Sequence, residues 1–132
     1  IGESCFNGCT SLTDISFHNS VTQFGKDVFK GCTLLSYIKI PSSVSVLGDY
    51  TFEGCAALSQ IKISSSIQMQ KIGKCVFAGC TSLSEFNIPS SVTEIGDSCF
   101  KDCKSITQIV FPNSVKKKSE VMFFLNAFLC RK

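Results

Sequence analysis

Apolar residues recur along this chain in five columns. Phe6, Phe29, Phe52, Phe77 and Phe100 form the first, and Phe123 continues it. Leu12, Leu35, Leu58, Leu83 and Ile106 form the second, and Ile15, Ile38, Ile61, Phe86 and Ile109 the third. Phe17, Ile40, Ile63, Ile88 and Phe111 follow, then Val21, Val44, Ile67, Val92 and Val115. The Phe column advances by 23, 23, 25 and 23 residues. A fixed period of this length predicts a solenoid, in which each repeat buries its apolar side only against its neighbours. With units opened at the Ile-Gly pair or its equivalent, the coils are 1–23, 24–46, 47–71, 72–94 and 95–117. A partial sixth unit, 118–132, is expected to be a C-terminal cap or tail.

Within each unit the third and fourth columns are separated by a single residue. Period-two spacing rich in β-branched residues predicts a short strand with one buried face. Strands one repeat apart stack in parallel at about 4.8 Å, so five coils predict one parallel sheet about 20–25 Å wide. Pro41, Pro89 and Pro112 follow the last strand residue and stop it, because Pro cannot donate to the ladder. Two glycine columns punctuate the return path: Gly2, Gly25, Gly48, Gly73 and Gly96, then Gly8, Gly31, Gly54 and Gly79 with Asp102 in fifth place. Repeated Gly implies either positive φ or close approach between coils, and Asp tolerates the left-handed region. Segments such as 97–103 have room for a turn or two of helix. The two extra residues of the third unit fall at 68–71 and are expected to bulge outward.

The expected fold is therefore a solenoid with its parallel sheet on the concave face and short helical turns and loops on the convex return path. Composition adds little to this but does exclude some functions. The sequence has twelve Phe, two Tyr and no Trp, as expected when one position is filled repeatedly by one residue. The net charge of +3 is concentrated at the end: residues 115–132 hold five basic residues and one acidic, and the remainder eight basic against nine acidic. A nearly neutral body lacks the basic footprint of a nucleic-acid binder. The opening IGESCF is not a secretory leader, and the chain starts partway through a repeat, as a piece of a longer protein would. The apolar run at 121–130 is far short of the roughly 20 residues needed to span a bilayer.

The pattern L-x-x-I-x-I-P-x-S-V-x-x-I-G-x-x-x-F-x-x-C, clearest at 83–103 as LSEFNIPSSVTEIGDSCFKDC, resembles the BspA-like leucine-rich repeats. The resemblance covers residues 1–115. It implies a leucine-rich-repeat solenoid that recognises proteins, in a family of surface or secreted proteins implicated in adhesion and host-protein binding. A cell-surface or secreted setting is the expectation that follows, with an intracellular scaffold or phosphatase-type regulator as the alternative. Lys118 and Ser119 depart from the pattern, standing where an Ile-Gly pair should recur. The family carries no catalytic residues.

Nine cysteines suggest metal or disulfide chemistry, but five of them, Cys9, Cys32, Cys55, Cys80 and Cys103, occupy one column. One column means one inward direction, where a free thiol packs as a small hydrophobe. Parallel equivalent side chains are also poorly placed to bridge, and an odd total leaves one thiol over. Cys5 with Cys9, and Cys99 with Cys103, have a spacing that suits two zinc ligands. The two pairs lie four coils apart, so they cannot share an ion. The one histidine, His18, sits at a strand end, away from the inward thiols, so no nucleophile–base pair is expected. No enzyme activity, cofactor or metal is expected. Lys116, Lys117, Lys118, Arg131 and Lys132 flank the apolar tail, and such a segment could touch an anionic membrane. A solvated end of a capping coil accounts for the same residues.

Binding is expected on the outward strand positions. One such column holds Asp14, Tyr37, Gln60, Glu85 and Gln108, and the other Ser16, Lys39, Lys62, Asn87 and Val110. Thr13, Ser36, Ser59, Ser84 and Thr107 flank them. Packing keeps the core columns uniform and leaves these free to vary, so a protein partner would be read here. The candidate site is Asp14, Ser16, Tyr37, Lys39, Gln60, Lys62, Glu85, Asn87 and Gln108, with Tyr37, Lys39 and Lys62 as anchors.

Overall fold

A computed structural model describes residues 1–116. Six short strands are assigned among them: β1 (Gln23–Phe24), β2 (Tyr37–Ile40), β3 (Val46–Leu47), β4 (Gln60–Ile63), β5 (Lys71–Ile72) and β6 (Glu94–Ile95). Every pairing is parallel, as expected of a solenoid in which each coil repeats its predecessor. The return paths are turns, and no helix occurs among the described residues. This corrects the expected helical turns. Each return path makes its hydrogen bonds to the next coil instead: Phe6, Phe29, Phe52 and Phe77 donate to the carbonyls of Val28, Thr51, Val76 and Cys99 at 2.8–3.0 Å. The peptide groups between them close i→i−3 turns, Cys9 to the Phe6 carbonyl and Cys32 to that of Phe29, both at 3.1 Å, so no i→i−4 run forms.

The strands form two ladders rather than one. β1, β3, β5 and β6 make a four-stranded ladder at the residues leading into the Ile-Gly column. Sequence reasoning had assigned this stretch to the return path. At the expected strand column only β2 and β4 pair, with Tyr37 opposite Gln60 and Lys39 opposite Lys62. The expected five-strand sheet is thus two strands wide. Side-chain volume explains the limit. Coils two and three place Ile at both inward positions (Ile38 and Ile40, Ile61 and Ile63), whereas Phe17, Phe86 and Phe111 each put a ring into the other three coils. Phe86 lies 4.6 Å from the Phe77 ring and Phe17 5.0 Å from Phe24, centroid to centroid. In this column the ladder stops where a ring replaces Ile, whereas Phe24, beside the glycine column that lets coils touch, remains paired within β1.

The core runs down the middle of the coils. Phe6, Phe29, Phe52, Phe77 and Phe100 stack in sequence with centroids 5.4–5.8 Å apart and planes within 14°. Such ladders of offset rings add attraction beyond the area they bury. Leu35, Leu58 and Leu83 lie fully buried beside them. The two extra residues of the third coil do not simply bulge outward. Gln68 and Gln70 are exposed, but Met69 is fully buried. An insertion of two in an extended segment preserves the inward–outward alternation, where one residue would have reversed it. Met69 therefore takes over the Val column's place in the ladder: its carbonyl accepts from Ser91 Oγ at 2.6 Å, as that of Val92 accepts from Ser114. Register is kept, with Lys71 level with both Val46 and Glu94.

The two glycine columns separate into the two causes expected of them. Gly31 has φ +73, and Asp102, in the same column, takes φ 59. Gly48 has no positive φ, but a Cβ there would lie 2.6 Å from the Gly25 carbonyl carbon and 2.8 Å from the Phe24 oxygen. One column turns the chain and the other lets coils touch. A third column, without glycine, is also left-handed: Ser4, Asp27, Tyr50, Cys75 and Ser98 have φ between 54 and 60. Each such residue costs roughly 1–3 kcal/mol. The amides of Ser4, Asp27, Tyr50 and Cys75 are tied to the next coil, Asp27 to the Asp49 carbonyl at 3.0 Å and Tyr50 to that of Lys74 at 2.8 Å. The pairing holds the conformation in place.

Candidate functional site

The outward strand positions lie where the alternation puts them. Asp14, Ser16, Lys39, Gln60, Lys62, Glu85, Asn87 and Gln108 are exposed, and Tyr37 is half-buried. Four of the nine share paired strands. Tyr37 and Gln60 stand side by side, as do Lys39 and Lys62, because the β2–β4 register is residue for residue. The two lysines therefore project from neighbouring strands in the same direction. Neither belongs to an ion pair; those present join Lys30 to Asp27 and Glu53, and Lys71 to Glu94, elsewhere on the described surface. Like charges directly opposite on adjacent strands are destabilising.

The other five candidates are not gathered into the same sheet. Asp14 and Ser16 lie in the first coil, which meets β2 through one backbone bond, Ser36 N–H to the Thr13 carbonyl at 3.2 Å. Glu85 and Asn87 lie across a cleft of about 570 Å³ between coils three and four, lined by Ile61, Lys62, Ile63, Ile67, Phe86 and Ile88 among others. Gln108 lies beyond a smaller cleft of about 280 Å³ between coils four and five. Sequence reasoning missed these clefts. The Phe substitutions in the strand columns were the available signal.

The thiols are packed and bonded. Cys32, Cys55, Cys80 and Cys103 are buried, and each S–H donates to a Phe carbonyl of the preceding coil, those of Phe6, Phe29, Phe52 and Phe77, at 3.0–3.2 Å. Burial pushes the Cys55 and Cys103 thiols up to about 12 from 9.0, and raises those of Cys32, Cys80 and Cys99 as well. A thiol held protonated is a poor nucleophile and a poor metal ligand. All eight described cysteines are free. Cys9 is only half-buried, a correction to the expectation that the whole column is enclosed. It lies in the first coil and has a neighbouring coil on one side only. Cys5 is exposed, whereas Cys99 is fully buried.

His18 is exposed, and its Nδ1 accepts the Ser20 amide at 3.2 Å while contacting Ser20 Oγ at 3.1 Å. Ser64 makes the same turn with Ser66 two coils later, so His18 closes a turn. Among the described residues no group of three or more His, Cys, Asp or Glu could hold a metal ion. No helix among them is long and apolar enough to cross a membrane. The expected cap or tail at 118–132 lies outside the described residues, as do the basic residues of its membrane-facing alternative other than Lys116.

Residues 1–129 match six copies of the BspA type leucine rich repeat region. A leucine rich repeat protein of T. pallidum is 34% identical, with a TM-score of 0.83 over 88% of this chain and 53% of that one. A leucine rich cell surface protein from Faecalibacterium prausnitzii is 31% identical, with a TM-score of 0.73 over 82% of this chain and 28% of that one. A leucine-rich repeat protein from Bacteroides capillosus is 29% identical, with a TM-score of 0.60 over 67% and 62% of the two chains. The chain thus spans about half the length of the first of these relatives and under a third of the second. No curated protein matches it.

Proposed function

We propose that this chain, which belongs to the BspA-type leucine-rich repeat family, is an interaction module that takes an acidic patch of a protein partner on its outward strand face. Lys39 and Lys62 supply the charge and Tyr37 the apolar anchor, while Gln60, Asp14, Ser16, Glu85, Asn87 and Gln108 form the rim. The observation that carries this is the side-by-side pair of lysines without a counter-charge. Such a pair costs stability in the free protein, and an incoming carboxylate reverses the cost. Tyr37 beside it buries area at little entropy cost. The F. prausnitzii relative is a cell surface protein, which supports a cell-surface setting for this chain; adhesion is the use we infer for such a module. The five buried cysteines give no reason to prefer an intracellular scaffold; exposed Cys5 and half-buried Cys9 and Cys75 are what favours that alternative. The buried thiols are shielded and protonated, and such groups resist oxidation outside the cell as well as within it.

Lys39→Glu and Lys62→Glu test the proposal in a binding assay against the protein partner, with thermal stability followed in parallel. Each exchange should weaken binding by more than about 1 kcal/mol and leave stability unchanged or raised. Lys74→Ala, on the return path, is the control and should do neither. Asp49 would be a poor control, because its Oδ1 accepts the Lys74 amide at 2.9 Å and so holds two coils together. Binding that survives both lysine exchanges would sink the proposal.

A further inference from the structure

We infer that the cleft between coils three and four receives an extended peptide strand of the partner, one with branched aliphatic residues at alternate positions. The inference rests on the protein-recognition reading above and specifies how part of the partner is held. In a strand, the N–H and C=O of one residue point to the same side, and successive residues alternate. Gln60 donates to the Ser36 carbonyl at 3.4 Å, so Gln60 and Lys62 direct their peptide groups toward β2. Ile61 and Ile63 must then direct theirs toward coil four. No backbone hydrogen bond joins 60–63 to 85–88. The same two coils are nevertheless tied together at Lys71 opposite Glu94, and on the return path by the Gly54 N–H, which donates to the Ala78 carbonyl at 2.8 Å. They are closed on one side and open on the other.

The opening, at about 570 Å³, falls in the size range of ligand sites. Its walls are mostly polar, but its floor is apolar at two positions. Ile61 and Ile63 are half-exposed here, although their counterparts Ile38 and Ile40 are 0% and 1% exposed. Phe86 and Ile88 lie buried beneath the far wall. The cleft therefore leaves two needs unmet, peptide hydrogen bonds along its walls and apolar cover over its floor. Water meets only the first, and a small apolar molecule only the second. An extended peptide meets both, by adding a strand to the free edge of β4. The existing β2–β4 ladder fixes the register, so alternate residues of the added strand lie level with Ile61 and Ile63. The rims carry Lys62 on one side and Glu85 on the other, which suits an occupant whose outward residues are polar and uncharged. Phe86 keeps the cleft open, since its ring occupies the space an Ile would leave for the strand to close.

A blocked peptide with the β4 sequence of residues 59–65 and Gln in place of its one Lys, SQIQISS, is a defined probe, because β4 already pairs with a strand of the same kind and the exchange leaves every outward residue polar and uncharged. Titrated into the 132-residue chain, it should bind saturably and slow amide exchange at Ile61, Ile63, Glu85 and Asn87. N-methylation at alternate peptide nitrogens, which removes about two hydrogen bonds, should weaken it roughly tenfold. Phe86→Ile should close the cleft, slow exchange at the four amides without peptide, and weaken peptide binding to a similar degree. No saturation by about 1 mM would overturn the inference. So would indifference to N-methylation, or protection confined to other amides. The two proposals fail separately. A partner that depends on Lys39 and Lys62 but leaves the four amides unprotected removes the cleft and spares the strand face. Protection of those amides by a partner indifferent to both lysines does the reverse.

Discussion

Gly31 and Gly48 lie in the interior of the stack, and the same change at each should fail for different reasons. At Gly48 an added methyl would sit 2.6 Å from the Gly25 carbonyl carbon, 2.8 Å from the Phe24 oxygen and 2.9 Å from the Gly25 oxygen. All three are backbone atoms, so no side chain can swing away. Reaching an ordinary contact of about 3.4 Å requires the coils to part by nearly 1 Å. That separation takes the Gly48 N–H to Phe24 carbonyl bond from 2.8 Å to beyond hydrogen-bonding range. Overpacking of about 1–3 kcal/mol plus about 1 kcal/mol for the bond predicts that Gly48→Ala costs about 2–4 kcal/mol. At Gly31 the nearest atom is 4.0 Å away and only the φ of +73 resists, so Gly31→Ala should cost about 1–2 kcal/mol. Aspartate separates the mechanisms. Gly31→Asp should be milder than Gly31→Ala, since Asp102 already occupies the equivalent position, whereas Gly48→Asp should be worse than Gly48→Ala. Urea titration with an unchanged m-value reads all four. Equal costs at the two sites, or an Asp that rescues Gly48, would refute the division into turning and touching glycines.

Leu58→Ala removes a fully buried side chain from the middle coil and should cost about 2–5 kcal/mol in the same titration; under about 1 kcal/mol, the Leu column would not be core. Cys5, Cys9 and Cys75, exposed or half-buried, should react with a thiol reagent in the folded protein, while Cys32, Cys55, Cys80, Cys99 and Cys103 should wait for unfolding. A bridge between adjacent column members in a non-reducing peptide map would contradict this. Stability should also fall in alkali. Burial raises Cys55 and Cys103 to about 12 from 9.0, so both stay protonated in the folded state while the unfolded chain ionises. Their contribution is intact below pH 9 and is lost between pH 9 and 12, at about 1.4 kcal/mol per thiol per pH unit. Cys55→Ala should flatten that slope relative to the parent chain; an unchanged slope would mean the thiol is not protected.

The solenoid was legible because its period is long and its core columns are nearly invariant. Identity was less informative where one residue type serves several purposes. The Ile-Gly column read as return path because a strand of two residues has no period to detect. Gln23–Phe24, Val46–Leu47, Lys71–Ile72 and Glu94–Ile95 become a ladder only once the glycines beside them let the coils meet. The left-handed residues Ser4, Tyr50 and Cys75 carry no sequence signal at all, since contacts with the next coil, not their own preference, set their φ. Met69 was hidden by the alignment. Counting placed Ile67 in the Val column, whereas the backbone gives the turn to Ile67 and the ladder position to Met69.

For the candidate face, alternation separates outward from inward positions, with Tyr37 half-buried and the other eight exposed, but does not tell what they form together. Exposure follows from period-two geometry within one coil, so it can be read one coil at a time. Continuity between coils depends on whether neighbouring backbones approach within about 4.8 Å, which exposure within one coil does not reveal. Ile against Ile permits it at β2 and β4, and Phe86 against Ile61 does not. A column of five polar residues is therefore not yet a surface. Here it becomes a paired basic patch at Lys39 and Lys62, bordered by a cleft on the Glu85 side. Variation in an inward column thus shapes the outer face as much as variation in the outward ones, because one ring in the core determines which outward residues stand side by side.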